Sequence, residues 1–144
     1  MIKLKRFFLL AAALLFIVIS SDVYAEPISV IANSSVTFEQ LKLKDLRSIY
    51  TMKKRLWAEG EPVSVFVYSG DNSIHKAFCR ELLKVFPRQL ESVWYRLVYS
   101  GTGASPIRVN SEAEMLERVA NTPGAIGYLQ SESLNEKTKI ITIK

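Results

Sequence analysis

Two rhythms of apolar and polar positions run through the chain beyond residue 25. Short runs rich in β-branched and aromatic residues predict strands at Ile28–Asn33, Val63–Tyr68, Pro106–Val109, Ala125–Leu129 and Lys139–Ile143. Between them, apolar residues recur every three or four positions. Leu43, Leu46 and Tyr50 predict one helix. Ile74, Ala77, Phe78, Leu82, Val85 and Phe86 predict a second, with a wide apolar face. Leu90, Val93, Trp94, Leu97 and Val98 predict a third after Pro87. Met115, Leu116, Val119 and Ala120 predict a fourth. The order is β-α-β-α-α-β-α-β-β, and strands that alternate with helices imply an α/β protein with helices covering the sheet.

The punctuation agrees with this order. Ser111 followed by Glu114 has the spacing of a capping box. Gly101, just past a helix, suits a left-handed C-cap, so Ser100–Gly103 reads as a helix end and not as a phosphate-cradling loop. Gly127 inside a strand predicts a close approach of another element. Lys53–Arg55 and Trp57 read as a solvated turn with the Trp folded back onto the domain.

The junction Val63–Phe78 carries the most chemistry. A strand stops at Ser69-Gly70-Asp71-Asn72-Ser73 and a helical pattern starts at once. Such a junction aims backbone N–H groups and the positive helix end at one point, which suits an anion. The alternative is an ordinary turn with Asn72 or Ser73 as N-cap.

Residues 1–25 carry a different signal. Lys3, Lys5 and Arg6 precede an unbroken apolar run, Phe7–Ile19, and Val23-Tyr24-Ala25 places small residues at −3 and −1. This is a cleavable signal peptide in form, too short to span a bilayer, with cleavage expected after Ala25 and residues 26–144 left as one domain. Export, to the periplasm in a Gram-negative cell, follows. Losing Lys3, Lys5, Arg6 and Asp22 lowers the net charge from +5 to about +3, which with export argues against nucleic-acid binding. No membrane insertion is expected after cleavage. The single Cys, Cys79, cannot form an intramolecular disulfide and falls on a helical apolar face, so it is expected in the core. With one His and one Cys, no nucleophile–base ordering and no metal-ligand set is readable. No catalytic residue, metal or cofactor is expected.

In order along the chain, Leu43–Tyr50, Trp57–Val63, Ser69–Phe78, Trp94–Pro106 and Thr122-Pro123-Gly124-Ala125-Ile126-Gly127-Tyr128 resemble segments of PstS-type substrate-binding proteins of phosphate ABC transporters. These have a type 2 periplasmic-binding fold, and the likeness is to their small relatives. The resemblance implies a single lobe with a mixed, mostly parallel sheet flanked by helices. It also implies a ligand loop at Ser69–Ser73, with Ser69, Gly70, Asn72 and Ser73 donating, Asp71 accepting from a protonated oxygen, and His75, Lys76 or Arg80 as the nearest cations. The family's loop arginine has no counterpart within this turn.

Two functions follow as expectations. One is an exported, solute-binding-protein-like domain that holds phosphate or another small oxyanion weakly. The other is an interaction or sensory accessory module that has lost its solute and docks on a transporter or sensor protein. Exposure of Trp57, Tyr68 and Tyr99 would support the second.

Overall fold

A computed structural model describes residues 26–130 and 134–144. The leader expected at 1–25, and Ser131–Ser133 of the polar loop before the last strand, lie outside the described residues. The elements are β1 (Ser29–Asn33), β2 (Gln40–Leu41), α1 (Leu43–Tyr50), β3 (Ser64–Tyr68), α2 (Ser73–Ala77) continued by a π-helical segment (Phe78–Leu83), α3 (Pro87–Tyr99), β4 (Ile107–Val109), α4 (Glu112–Asn121), β5 (Ala125–Leu129) and β6 (Thr138–Ile143). Among the described residues no helix is long and apolar enough to cross a membrane.

The strands form one six-stranded mixed sheet in the order β2-β6-β1-β5-β3-β4. β1 runs antiparallel to β5 and β6, whereas β3 is parallel to β4 and β5, and β2 to β6. The α/β class is therefore as the alternating pattern implies. Residues of β5 alternate between two helical layers. A Cβ at Gly127 would run into Met115 Sδ and Val119 of α4, so glycine is what lets that helix lie close on the sheet. On the opposite face the ring of Tyr128 stacks on Phe78, with centroids 3.7 Å apart, and meets Tyr50 of α1 edge-on. β5 is buried along its whole length, as a strand covered on both faces must be.

The expected order misses one element. Leu41 reads as part of the apolar pattern leading into α1, yet Gln40–Leu41 pairs with Thr142 and Ile143 of β6. Two residues carry no periodicity, and only the partner strand makes them β.

The second expected helix is also redrawn. Its uninterrupted pattern over Ile74–Phe86 becomes one α-helical turn and then a π-helix, which Lys84 ends in the left-handed region (φ 55°, ψ 40°). His75, Phe78, Cys79 and Leu83 are buried, at the three- and four-residue spacing of a helix face, whereas Ile74, Ala77, Leu82 and Val85 are half-buried. Phe86, expected on the apolar face, is 74% exposed. Arg47 of α1 donates from Nε to the carbonyl of Leu83 at 2.7 Å, satisfying one acceptor at the negative end of this segment.

The caps follow their residues. Gly101 has φ 67°, its N–H donates to Val98 O and that of Thr102 to Leu97 O, which is a Schellman ending for α3. Ser111 Oγ accepts from the Glu114 N–H at 3.1 Å, while the Glu114 carboxylate reaches back to the Asn110 N–H at 2.9 Å, one residue earlier than in a standard capping box. Trp57 is folded in and donates from Nε1 to Gly124 O at 2.9 Å.

Candidate functional site

The parallel strands β3, β4 and β5 end on the same edge of the sheet, where α/β proteins commonly bind ligands. The turn Ser69–Asn72 leaves β3 there and leads into α2. Asn72 is its N-cap, extended at φ −63° and ψ 134°, and its Oδ1 accepts from the N–H groups of Ile74 at 2.8 Å and His75 at 3.2 Å. The Asn72 N–H closes the turn on Ser69 O at 3.0 Å. Of the two residues the sequence offered as N-cap, Asn72 takes the role, and it consumes two of the four N–H groups that a helix start offers an anion. Ser69, Gly70 and Asn72 are half-buried, and Asp71 and Ser73 are exposed.

His75 is elsewhere. It is fully buried, with Nδ1 2.5 Å from the Tyr128 hydroxyl and Nε2 3.5 Å from Cys79 Sγ. The Tyr128 oxygen also accepts from the Tyr68 N–H at 3.3 Å. A neutral imidazole with its proton on Nε2 fits this set: Tyr128 donates to Nδ1, and Nε2–H points at sulfur. Burial, reinforced by the positive charge of Arg108, lowers the His75 pKa to about 4. Burial, with a smaller effect of Glu91, pushes the Cys79 thiol up to about 12. Burial also raises the Tyr50, Tyr68 and Tyr128 phenols above their ordinary range. At neutral pH His75 is therefore an uncharged core residue and brings no cation to the turn.

The cation near the turn comes from β4. Arg108 NH1 lies 3.7 Å from Glu91 Oε1 of α3, and the same carboxylate oxygen packs so closely on Gly70 that a Cβ there would collide with it. A carboxylate of the chain itself thus sits between the turn and a guanidinium. Sequence reading missed both residues. Glu91 reads as one more polar position on a helix, and Arg108 as one residue of a short strand. An arginine inside a strand that follows a ligand-type turn was the available signal, but nothing in the spacing shows that β4 pairs with β3. Lys76 and Arg80 are exposed beside Gly70 on the flank of the helix. Among the described residues no group of three or more His, Cys, Asp or Glu is placed to hold a metal ion.

No protein-family model matches this sequence, and no curated protein matches it. Solved structures do. An ABC-type phosphate transport receptor from Vibrio cholerae aligns with a TM-score of 0.63 at 16% identity, over 82% of this chain and 46% of that one. A protein described as a phosphate ABC transporter substrate-binding protein with bound phosphate, from Clostridium perfringens, aligns at 0.66 and 17% identity, over 82% and 45%. PstS from Borrelia burgdorferi aligns at 0.64 and 17%, over 82% and 47%. At such identities the likeness is one of fold: the chain has the α/β fold of periplasmic binding proteins. It spans less than half the length of these structures.

Proposed function

We propose that the chain is an exported solute-binding module that holds a small oxyanion, phosphate foremost, weakly at Ser69–Ser73. The observation that carries this reading is the Glu91 carboxylate, which rests against Gly70 and 3.7 Å from Arg108. A carboxylate is itself an oxyanion, so its place against Gly70 supports a small anion at the turn. Arg108 takes the place of the arginine that the turn lacks, and Ser69 and Ser73 supply hydroxyl donors. Affinity is low for three reasons. Glu91 competes for the site, Asn72 consumes two helix-start N–H groups, and Arg108 is about half exposed, so water screens it. The binding proteins that share the fold are named for phosphate, which favours that ligand. The arrangement suits binding and not turnover. Cleavage after Ala25 delivers the domain to the periplasm, where mature protein beginning at Glu26 is expected by mass spectrometry.

Isothermal titration with phosphate, sulfate and acetate tests the site. Saturable heat in the millimolar range is expected for the wild type, with tighter binding in Glu91→Gln and none in Arg108→Ala. Absence of saturable heat in both wild type and Glu91→Gln rules the reading out.

One observation favours the second reading, a docking module for a transporter or sensor. Tyr95, Val98 and Tyr99 on α3 are 60%, 52% and 87% exposed, a concentration of apolar and aromatic surface of the kind that interfaces use. Trp57 and Tyr68, which would have added to it, are 6% and 1% exposed and belong to the core. Recovery of the protein alone, as a monomer, after crosslinking in periplasm and membranes would count against this reading.

A further inference from the structure

Beyond the turn, the helical path from α2 to α3 bends around a groove of about 910 Å³ that begins at Gly70. Its walls carry Lys76, Arg80, Lys84 and Arg88, spaced four residues apart. Between Lys84 and Arg88 the chain turns, with Lys84 in the left-handed conformation and Pro87 at the start of α3. Among the described residues no carboxylate lines the groove. Arg80 meets Glu81 at 3.5 Å in an exposed pair, whereas Lys76, Lys84 and Arg88 make no ion pair among the described residues. Between the cations the groove is apolar, lined by Val85, Phe86 and Pro87, and Phe86 is 74% exposed.

We propose that this groove is a docking site for an acidic polypeptide segment of a partner protein, one carrying at least one apolar side chain among its carboxylates. Charge complementarity decides the sign of the occupant: four unopposed or weakly opposed cations repel a basic segment and attract an acidic one. Size decides its class. A phosphate ion cannot reach both ends of a row in which Lys76 and Lys84 stand about 10 Å apart along the helix. A groove at the upper end of the range for enclosed ligands, roughly 300–1,000 Å³, fits several residues of extended chain. Shape separates the segment from a bilayer: a membrane surface is flat, and the four cations here border one concavity. Phe86, Val85 and Pro87 give the segment an apolar contact that charge alone would not require, and that contact makes the site selective for more than negative charge.

The test uses the mature protein and a fluorescein-labelled oligoglutamate peptide with one central leucine, read by anisotropy. All-glutamate and oligolysine peptides serve as comparisons. Saturable binding of the leucine peptide is expected, weakening about tenfold between low and physiological salt. Arg80→Glu combined with Arg88→Glu should weaken it by at least about tenfold. Phe86→Ser should remove the preference for the leucine peptide over all-glutamate. All three residues are exposed, so unchanged urea midpoints are expected and show that the variants fold. Four results would overturn the proposal: no peptide binding, equal binding by the charge-reversed protein, displacement of the peptide by millimolar inorganic phosphate, or binding to phosphatidylglycerol vesicles without binding to peptide. The last would make the groove a membrane-contact surface.

Discussion

The Tyr128 hydroxyl lies 2.5 Å from His75 Nδ1, and both residues are sealed in the core. This bond joins β5 to the first turn of α2, which follows the candidate ligand turn. It converts the chain's one histidine from a candidate ligand into a positioning residue for that turn. Removing one partner leaves the other buried and unsatisfied. Tyr128→Phe should therefore cost about 1–3 kcal/mol in urea unfolding, more than the loss of an exposed hydroxyl would.

The same histidine sets a pH dependence. Its pKa in the folded protein is about 4, below the ordinary 6.5. Between these values the unfolded chain binds a proton that the folded chain does not, so stability falls as pH drops through 6.5 towards 4 and is unaffected by this group above 6.5. The loss is on the order of 3 kcal/mol, at roughly 1.4 kcal/mol per pH unit. Unfolding free energies measured across this window should show that slope in the wild type and a flatter profile in His75→Gln.

Asn72 and Ser73 are adjacent, similar in chemistry and different in role. Asn72→Ala removes the acceptor of two N–H groups and should cost about 1 kcal/mol. It should also free those groups, so phosphate binding in the same variant should be unchanged or tighter. Ser73→Ala, at an exposed first helical position, should change stability by under about 0.5 kcal/mol. Equal costs at the two positions would contradict the capping geometry.

Gly127→Ala places a methyl group against Met115 Sδ and Val119, and should destabilise by about 1–3 kcal/mol. Because the collision is with a flexible side chain, the effect should be non-additive with Met115→Ala in a double-mutant cycle, the pair costing less than the two single changes together.

Cys79 is fully buried, and its thiol is pushed up to about 12. A thiol reagent should leave the native protein unlabelled at neutral pH and label it at the rate of unfolding. Rapid labelling of folded protein would place the sulfur at the surface.

Much of the architecture was legible because it rests on local physics. Strand runs, helical spacing, the Gly101 cap, the Ser111 cap and the close approach at Gly127 each depend on a residue and its near neighbours. The candidate ligand turn was legible as a turn for the same reason. What it faces was not. Glu91 and Arg108 lie 21 and 38 positions from Gly70, and they come together only because α3 brings Glu91 against Gly70 and β4, paired in parallel with β3, brings Arg108 to Glu91. His75 has the chemistry of a ligand, and its place in the core rests on what packs against it, since the Tyr128 hydroxyl from β5 meets Nδ1 and Cys79 Sγ meets Nε2.

Composition and periodicity alone determined the α/β class, the near-complete order of elements and the presence of a capped helix start after β3, since each is a preference of short segments. Tertiary structure alone decided which groups share that turn: that a carboxylate occupies it, that its cation comes from the neighbouring strand, and that four basic residues along a bent helical path enclose one groove. Charges act across space and not along the chain, so a site made of charges is known only once the sheet and its helices have set their distances.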